Sequence, residues 1–350
     1  MKKRSLITIS VLASLIMLMN LFVSWKNIPD SVSPSDIRQS VSRSFSLLEK
    51  SGSLFTERSR FKCAGCHHTT LTSMVAGSAR EKGIPVVDSF TDKRIKAMIH
   101  NLQFAGNPNL IDAFLPVNFN APYTLLGLYA ENYPPDIFTD ISVDYTISQA
   151  KADGSFLTES GRVPLETGDI HCAAFSIRSI QLYASPSKKP RVDAMVARTR
   201  HWLETQNPTQ QQEIVFQLLG MHWCGSSHDK IVSVAEKLYS MQHADGGWSQ
   251  LTTLGSDAYA TGQALYALCE SGMAKPTDDM YQKGMSYLLN TQDPTGAWLV
   301  QTRSYGIQPF FSSDFPPKDE NQYISAAATN WADLALLEAL PGKIKSKMSY

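Results

Sequence analysis

An excess of charge of either sign is the first thing this sequence lacks. Its 350 residues hold 32 lysines and arginines against 32 aspartates and glutamates, a net charge of zero. A nucleic-acid binder needs a basic field to release the counterions of phosphates, so no nucleic-acid partner is expected. Cysteine is scarce too, and five residues, an odd number, do not make the disulfide framework of a small secreted scaffold. Apolar residues are not scarce. At 43% apolar and 10% aromatic the chain is neither disordered nor fibrous, and it is long enough for a large core.

Charge is missing altogether from residues 6–25, directly after Lys2, Lys3 and Arg4. Twenty apolar or small residues reach across a bilayer at about 1.5 Å per residue. A basic flank followed by such a run is the order of a secretory signal or a signal-anchor, with the basic end kept inside. Residues 1–26 are therefore expected to be a signal peptide or signal-anchor. Phe22-Val23-Ser24 is a poor cleavage site, so the choice between the two stays open. The expected location is periplasmic or otherwise extracytoplasmic, with the membrane held through residues 6–25 if the leader stays. Without the three leading cations the rest carries a net charge of −3. Export also changes the reading of the cysteines, because thiols outside the cytosol tend to be paired, metallated or attached to something. Residues 27–34 read as a polar, proline-bearing linker and residues 343–350 as a basic tail.

From there a unit recurs: an amphipathic segment, a Gly/Pro/Asp-rich loop, then a segment apolar on nearly every face. The clearest copy begins with Ile231, Val234, Ala235 and Leu238 on one stripe and Lys230, Ser233, Glu236 and Lys237 opposite, a surface helix. Its loop runs from Gln242 through Asp245, Gly246 and Gly247 to Trp248. The segment from Ala258 to Cys269 has no polar face and stops at Gly272, so other helices must enclose it. Six such pairs can be traced: 36–50 with 67–82, 93–104 with 121–133, a degraded copy around Gln149 with 169–184, 192–206 with 211–223, 229–238 with 258–272, and 284–292 with 326–340. Pairs that bury their faces on their neighbours can close into a ring. The expected fold is all-α: one α/α toroid over residues 35–342, whose inner helices line a central cavity.

The Gln-x-x-x-Gly-x-Trp element stands at Gln242, Gly246 and Trp248, again at Gln292, Gly296 and Trp298, and in weaker form at Gln149, Gly154 and Phe156. With the run Asp257-Ala258-Tyr259-Ala260-Thr261, it resembles the repeat of squalene/hopene cyclases and protein prenyltransferases over roughly residues 90–340. The resemblance implies the terpenoid-cyclase type of toroid, but fold does not carry activity with it. The protonating Asp-x-Asp-Asp tetrad of the cyclases is absent, and Asp278-Asp279 reads as a solvated helix start. The prenyltransferases hold zinc through Asp, Cys and His. Asp169, His171 and Cys172 are the right types, at a spacing that departs from that family.

The strongest chemical motif is Cys63-Ala64-Gly65-Cys66-His67, the spacing of c-type haem attachment. Two thiols can bond the two vinyl groups, and His67 would then be the axial iron ligand. A disulfide, a zinc site with His67 or His68, and a purely structural loop are the rivals. Met74 would fall on the same side of the porphyrin as His67, whereas His171 is a candidate distal ligand. In a toroid the N-termini of the inner helices crowd one mouth, so His67, Asp169, His171 and Asp257 are expected to converge there. The plain alternative makes Asp169 and Asp257 N-caps and His171 a polar rim residue. Cys172, Cys224 and Cys269 read as buried thiols, and Tyr123, Trp223, Tyr259 and Trp331 as cavity lining.

Three functions follow. One is an exported toroid with covalent haem c, acting in electron transfer with a redox partner. Another is an enzyme on an apolar or carbohydrate ligand in the cavity, with Asp169, His171 and Asp257 as acid/base candidates. The last is a non-catalytic module that binds an apolar small molecule.

Overall fold

Helix caps and glycines set the frame of the ring. The computed structural model describes residues 31–59, 62–105, 117–158, 163–304 and 312–342. The expected leader, the first half of the linker and the basic tail lie outside the described residues. Twelve α-helices are described: α1 (Pro34–Arg58), α2 (Leu71–Glu81), α3 (Asp88–Ala105), α4 (Val117–Ala130), α5 (Ile137–Gln149), α6 (Asp169–Tyr183), α7 (Lys189–Thr205), α8 (Gln211–Trp223), α9 (His228–Tyr239), α10 (Ala258–Glu270), α11 (Asp279–Thr291) and α12 (Gln322–Glu338). No strand occurs among the described residues, and no helix there is long and apolar enough to cross a membrane. Several starts follow capping chemistry. Ser33 caps α1 ahead of Pro34, and Asp136 and Thr139 form a reciprocal capping box on α5.

The even-numbered helices form the inner ring: α2 packs on α4, and so on to α12, which packs back on α2. The odd-numbered helices lie outside. Inner helices are buried on nearly every face, whereas α9 buries only Ile231, Val234, Ala235 and Leu238. The six expected pairs are all present. In the degraded copy, α5 is the outer helix and ends at Gln149.

The repeat loops have a shared geometry. Gly154, Gly246 and Gly296 adopt φ of +93°, +89° and +94°, a region that favours glycine. Each also abuts the backbone of the next outer helix. A Cβ on Gly246 would lie 2.5 Å from Lys283 O, one on Gly154 2.5 Å from Arg198 C, and one on Gly296 3.0 Å from Arg43 C. The tryptophans tie each loop to its own helix pair. Trp248 Nε1 donates to Leu238 O (2.8 Å) and Trp298 Nε1 to Leu288 O (2.7 Å). Their backbone N–H groups donate to Thr261 and Thr329 on the inner helices. Gln242 Nε2 donates to Gly246 O and to Met280 O of α11. Gln292 does the same toward Gly296 O and Ser40 O of α1, and so joins the last pair to the first.

On the other side of the ring, charge takes over this task. Arg94 of α3 donates to Glu131 beside α4 (2.7 Å) and reaches Glu49 of α1 (3.4 Å), and Arg80 of α2 holds the other Glu131 oxygen (2.5 Å). Glu49, Arg94 and Glu131 are all buried. Burial pushes Glu49 above the usual carboxylate range, with Arg94 pulling it back.

Candidate functional site

The Cys63–His67 segment leads into a π-helical turn, Cys66–Thr70, held on every side. Asn101 of α3 brackets Ala64: its Oδ1 accepts from Ala64 N and its Nδ2 donates to Ala64 O, both at 2.9 Å. Asn330 of α12 donates to His67 O at 2.8 Å. His68 stacks on Phe55, with ring centroids 4.9 Å apart, and meets Ser313 Oγ at 2.8 Å. His68 is therefore buried. The turn sends His67 inward, 5.5 Å from the ring of Tyr123 on α4.

Tyr123 is the hub. Its hydroxyl lies 3.1 Å from His171 Nε2, in the first turn of α6. His171 is fully buried, stacked at 3.8 Å on Phe216 and flanked by Phe119 and Phe175. It is no rim residue. Burial, followed by the charge on His67, lowers its pKa to about 3, with the Thr167 backbone pulling slightly back. The imidazole is thus neutral near pH 7. Burial also raises the Tyr123 hydroxyl well above its ordinary range, reinforced by charge on Tyr259, Cys66 and Glu166.

Tyr259 answers from α10, opposite α4 in the ring. Its hydroxyl donates to Gln212 Oε1 of α8 (2.9 Å), and Gln212 Nε2 donates to Pro164 O (2.8 Å). Asp257 is the N-cap of α10, accepting from Ala260 N (2.9 Å) and from Gln250 Nε2 (3.0 Å). Burial raises its pKa despite those bonds and the nearby Arg303. Asp169 is not a cap: Gly168, at φ +97°, holds that place, and the Asp169 carboxylate accepts from Thr158 N (2.6 Å). Two loops meet over this mouth, because Ser304 Oγ, ahead of α12, donates to Val163 O, ahead of α6, at 2.7 Å. Those helices stand opposite one another, so the contact passes from one side of the mouth to the other. His67 and His171 are brought together through Tyr123. Asp257 stays at the start of α10 near Tyr259, and Asp169 at the edge beside Glu213.

Phe175, Phe216 and Trp331 fill the middle of the ring, with centroids 5.1 to 6.5 Å apart. Tyr123, Tyr259 and Trp331 are accordingly buried side chains. Trp223 stands half-exposed at the far end, under the Arg178 guanidinium and bonded to Glu270. Cys63 and Cys66 are half-buried thiols at the near edge, and burial raises the pKa of Cys63. Among the described residues, no three His, Cys, Asp or Glu side chains group closely enough to hold a metal. Cys172 and Cys224 are buried as expected, whereas Cys269 is half-exposed beside Glu338. Glu166 and Arg303 carry no signal in the sequence because loops at the mouth position them, and Gln212 carries none because its role depends on α8 meeting α10.

No protein-family model and no curated protein matches the chain. Solved structures do. The type II terpene cyclase MstE from Scytonema superposes with a TM-score of 0.59 at 11% identity, over 89% of this chain and 99% of that one. The fold is the terpenoid-cyclase toroid. A protein from Actinoplanes gives a TM-score of 0.55 at 13% identity, over 85% of this chain and 100% of that one. Variants of MstE have been solved with geranylgeranyl dihydroxybenzoate as substrate and with merosterolic acid A as product.

Proposed function

We propose that this toroid is an enzyme that moves protons on an apolar small molecule at the N-terminal mouth of its inner ring. The carrying observation is the buried Tyr123–His171 hydrogen bond, with His67 beside it. The ligand class follows from the prenyl-bearing substrate of the structural neighbour. A neutral imidazole can accept a proton at Nε2, and the tyrosyl hydroxyl can pass one to it or return it. Phe119, Phe175 and Phe216 pack around the imidazole and keep water from the pair. Asp257, raised by burial, is a further acid candidate, and Asp169 a weaker one.

The test is to incubate the full chain with a panel of polyprenyl phenols and look for products of unchanged mass by chromatography and mass spectrometry. His171→Gln is expected to lower turnover by about 10²–10⁴-fold, with Tyr123→Phe behind it. The acid limb of the pH–rate profile should fall well below pH 6.5, since His171 titrates at about 3. Full activity in both variants would discard the relay.

The second reading gives Cys63 and Cys66 a covalent haem, with His67 on the iron and export to an oxidising compartment. Its support is the motif together with two half-buried thiols beside the histidine. Both readings need the same imidazole, which faces Tyr123. A Soret band after expression with the c-type maturation machinery would favour haem. A featureless spectrum from correctly exported protein would remove it.

A further inference from the structure

The three repeat loops are alike in backbone but not in what they place on the neighbouring helix. Each turns through a matched pair of bonds: His243 N to Gly247 O and Gly246 N to His243 O, Asp293 N to Ala297 O and Gly296 N to Asp293 O, Lys151 N to Ser155 O and Gly154 N to Lys151 O. This pairing sets the register. The residue corresponding to Gln242 and Gln292 is Ala150, because Gln149 lies one position early, and its amide bonds only to Ser148.

The missing carboxamide has a consequence on the next outer helix. The three glycines abut Arg43, Lys283 and Arg198, so these residues correspond. At the loop that closes the ring, Arg43 donates to Gln292 Oε1 at 2.5 Å. Arg198 has no such acceptor. A cleft of about 460 Å³ opens there between the end of α5 and α7, floored by Ile147 and Met195 and ringed by Lys151, Arg191 and Arg198. Among the described residues, no carboxylate pairs with any of these three cations, and no acidic side chain lines the cleft. The opposing charge is the carbonyl end of α5, worth about half an elementary charge. The scaffold beneath is fixed, since Gly154 packs on the Arg198 backbone and Thr199 Oγ1 donates to Gly154 O at 2.9 Å.

We infer that this cleft, on the outer wall and separate from the mouth of the ring, is a binding site for a phosphate-type anion. Two guanidinium groups from α7 and an ammonium from the loop after α5 match the oxygens of a phosphate or diphosphate, which guanidinium groups take through paired hydrogen bonds. The apolar floor would take the adjoining part of an ester. The group can come from a soluble phosphate ester or from an acidic lipid headgroup, and both offer the same chemistry.

The test uses the full chain, with pyrophosphate followed by titration calorimetry and vesicles of phosphatidylcholine with or without phosphatidylglycerol followed by flotation. Pyrophosphate should bind, more weakly as salt rises. Arg191→Gln with Arg198→Gln, both at exposed positions, should weaken binding by about tenfold or more. Ala150→Gln should also weaken it, because the restored carboxamide would reach Met195 O and offer Arg198 its acceptor. Binding to acidic vesicles alone, lost in the same variants, would assign the site to a lipid headgroup. Binding of neither probe, or equal affinity in the parent and both variants, overturns the site.

Discussion

The two sides of the ring seal neighbouring helix pairs by different physics. Around α1 to α4, ions do it, with the buried Arg94, Glu49 and Glu131 and the half-buried Arg80 meeting where four helices come together. Around α9 to α12, a short loop does it, with one glycine against the next backbone, one tryptophan over its own pair and one glutamine across the seam. The ionic seal is made of residues far apart in sequence. Each member is costly to bury and depends on the others. The loop seal is local, modular and repeated, so its parts can be exchanged between seams.

The largest expected effect comes from breaking the ionic side. Glu131→Gln removes the carboxylate of Arg80 and leaves Arg94 only its longer contact to Glu49, and should cost about 3–5 kcal/mol in urea unfolding. Breaking the loop side with Gly246→Ala forces a Cβ to 2.5 Å from Lys283 O at φ +89°. That should cost about 2–4 kcal/mol by the same measurement. A milder test lies where the two sides meet. Asp333 of α12 is fully buried, 2.6 Å from Ser44 Oγ of α1, and burial holds its pKa well above the carboxylate range. Its contribution is therefore complete below the unfolded carboxylate pKa and is lost as pH rises toward the folded value. Asp333→Asn cannot ionise, so its stability relative to the parent should grow from pH 4 to pH 8, by about 1 kcal/mol or more. The smallest effect converts a seam rather than breaking one. Ala150→Gln should raise thermal stability slightly, by about 0.5–1 kcal/mol, by giving the third seam the bond the fifth and sixth already have.

Legibility followed the same division. The loop residues were readable because Gln, Gly and Trp recur at fixed spacing, and each has one local task. Inner helices were readable because they lack a polar face. The ionic seal was not, since nothing near Glu49, Arg94 or Glu131 in the chain announces a partner 37 or 45 residues away. The candidate site was legible in part. His67, His171 and Asp257 fall at inner-helix starts, and Tyr123 lies against the two histidines. Tyr123 read as lining, and its role as the hub depends on how α4 sits between α2 and α6. The Gln149 assignment missed by one residue because the match was to letters, whereas the turn at Lys151, Gly154 and Ser155 sets the true register.

The bond from Gln292 to Ser40 spans 252 positions of chain. As the polypeptide leaves the ribosome, α1 emerges well before α11 and α12 and must wait for them before its outward seam is covered. Until then Ser40, Arg43 and Ser44 face solvent or whatever else is nearby, and the nascent chain is an open arc with one unmatched edge. Ring closure at this seam is thus a natural late step of folding, governed by the slow search for a distant contact. A cut anywhere before α11 would leave the arc permanently open, with a sticky flank that invites the same flank of another chain.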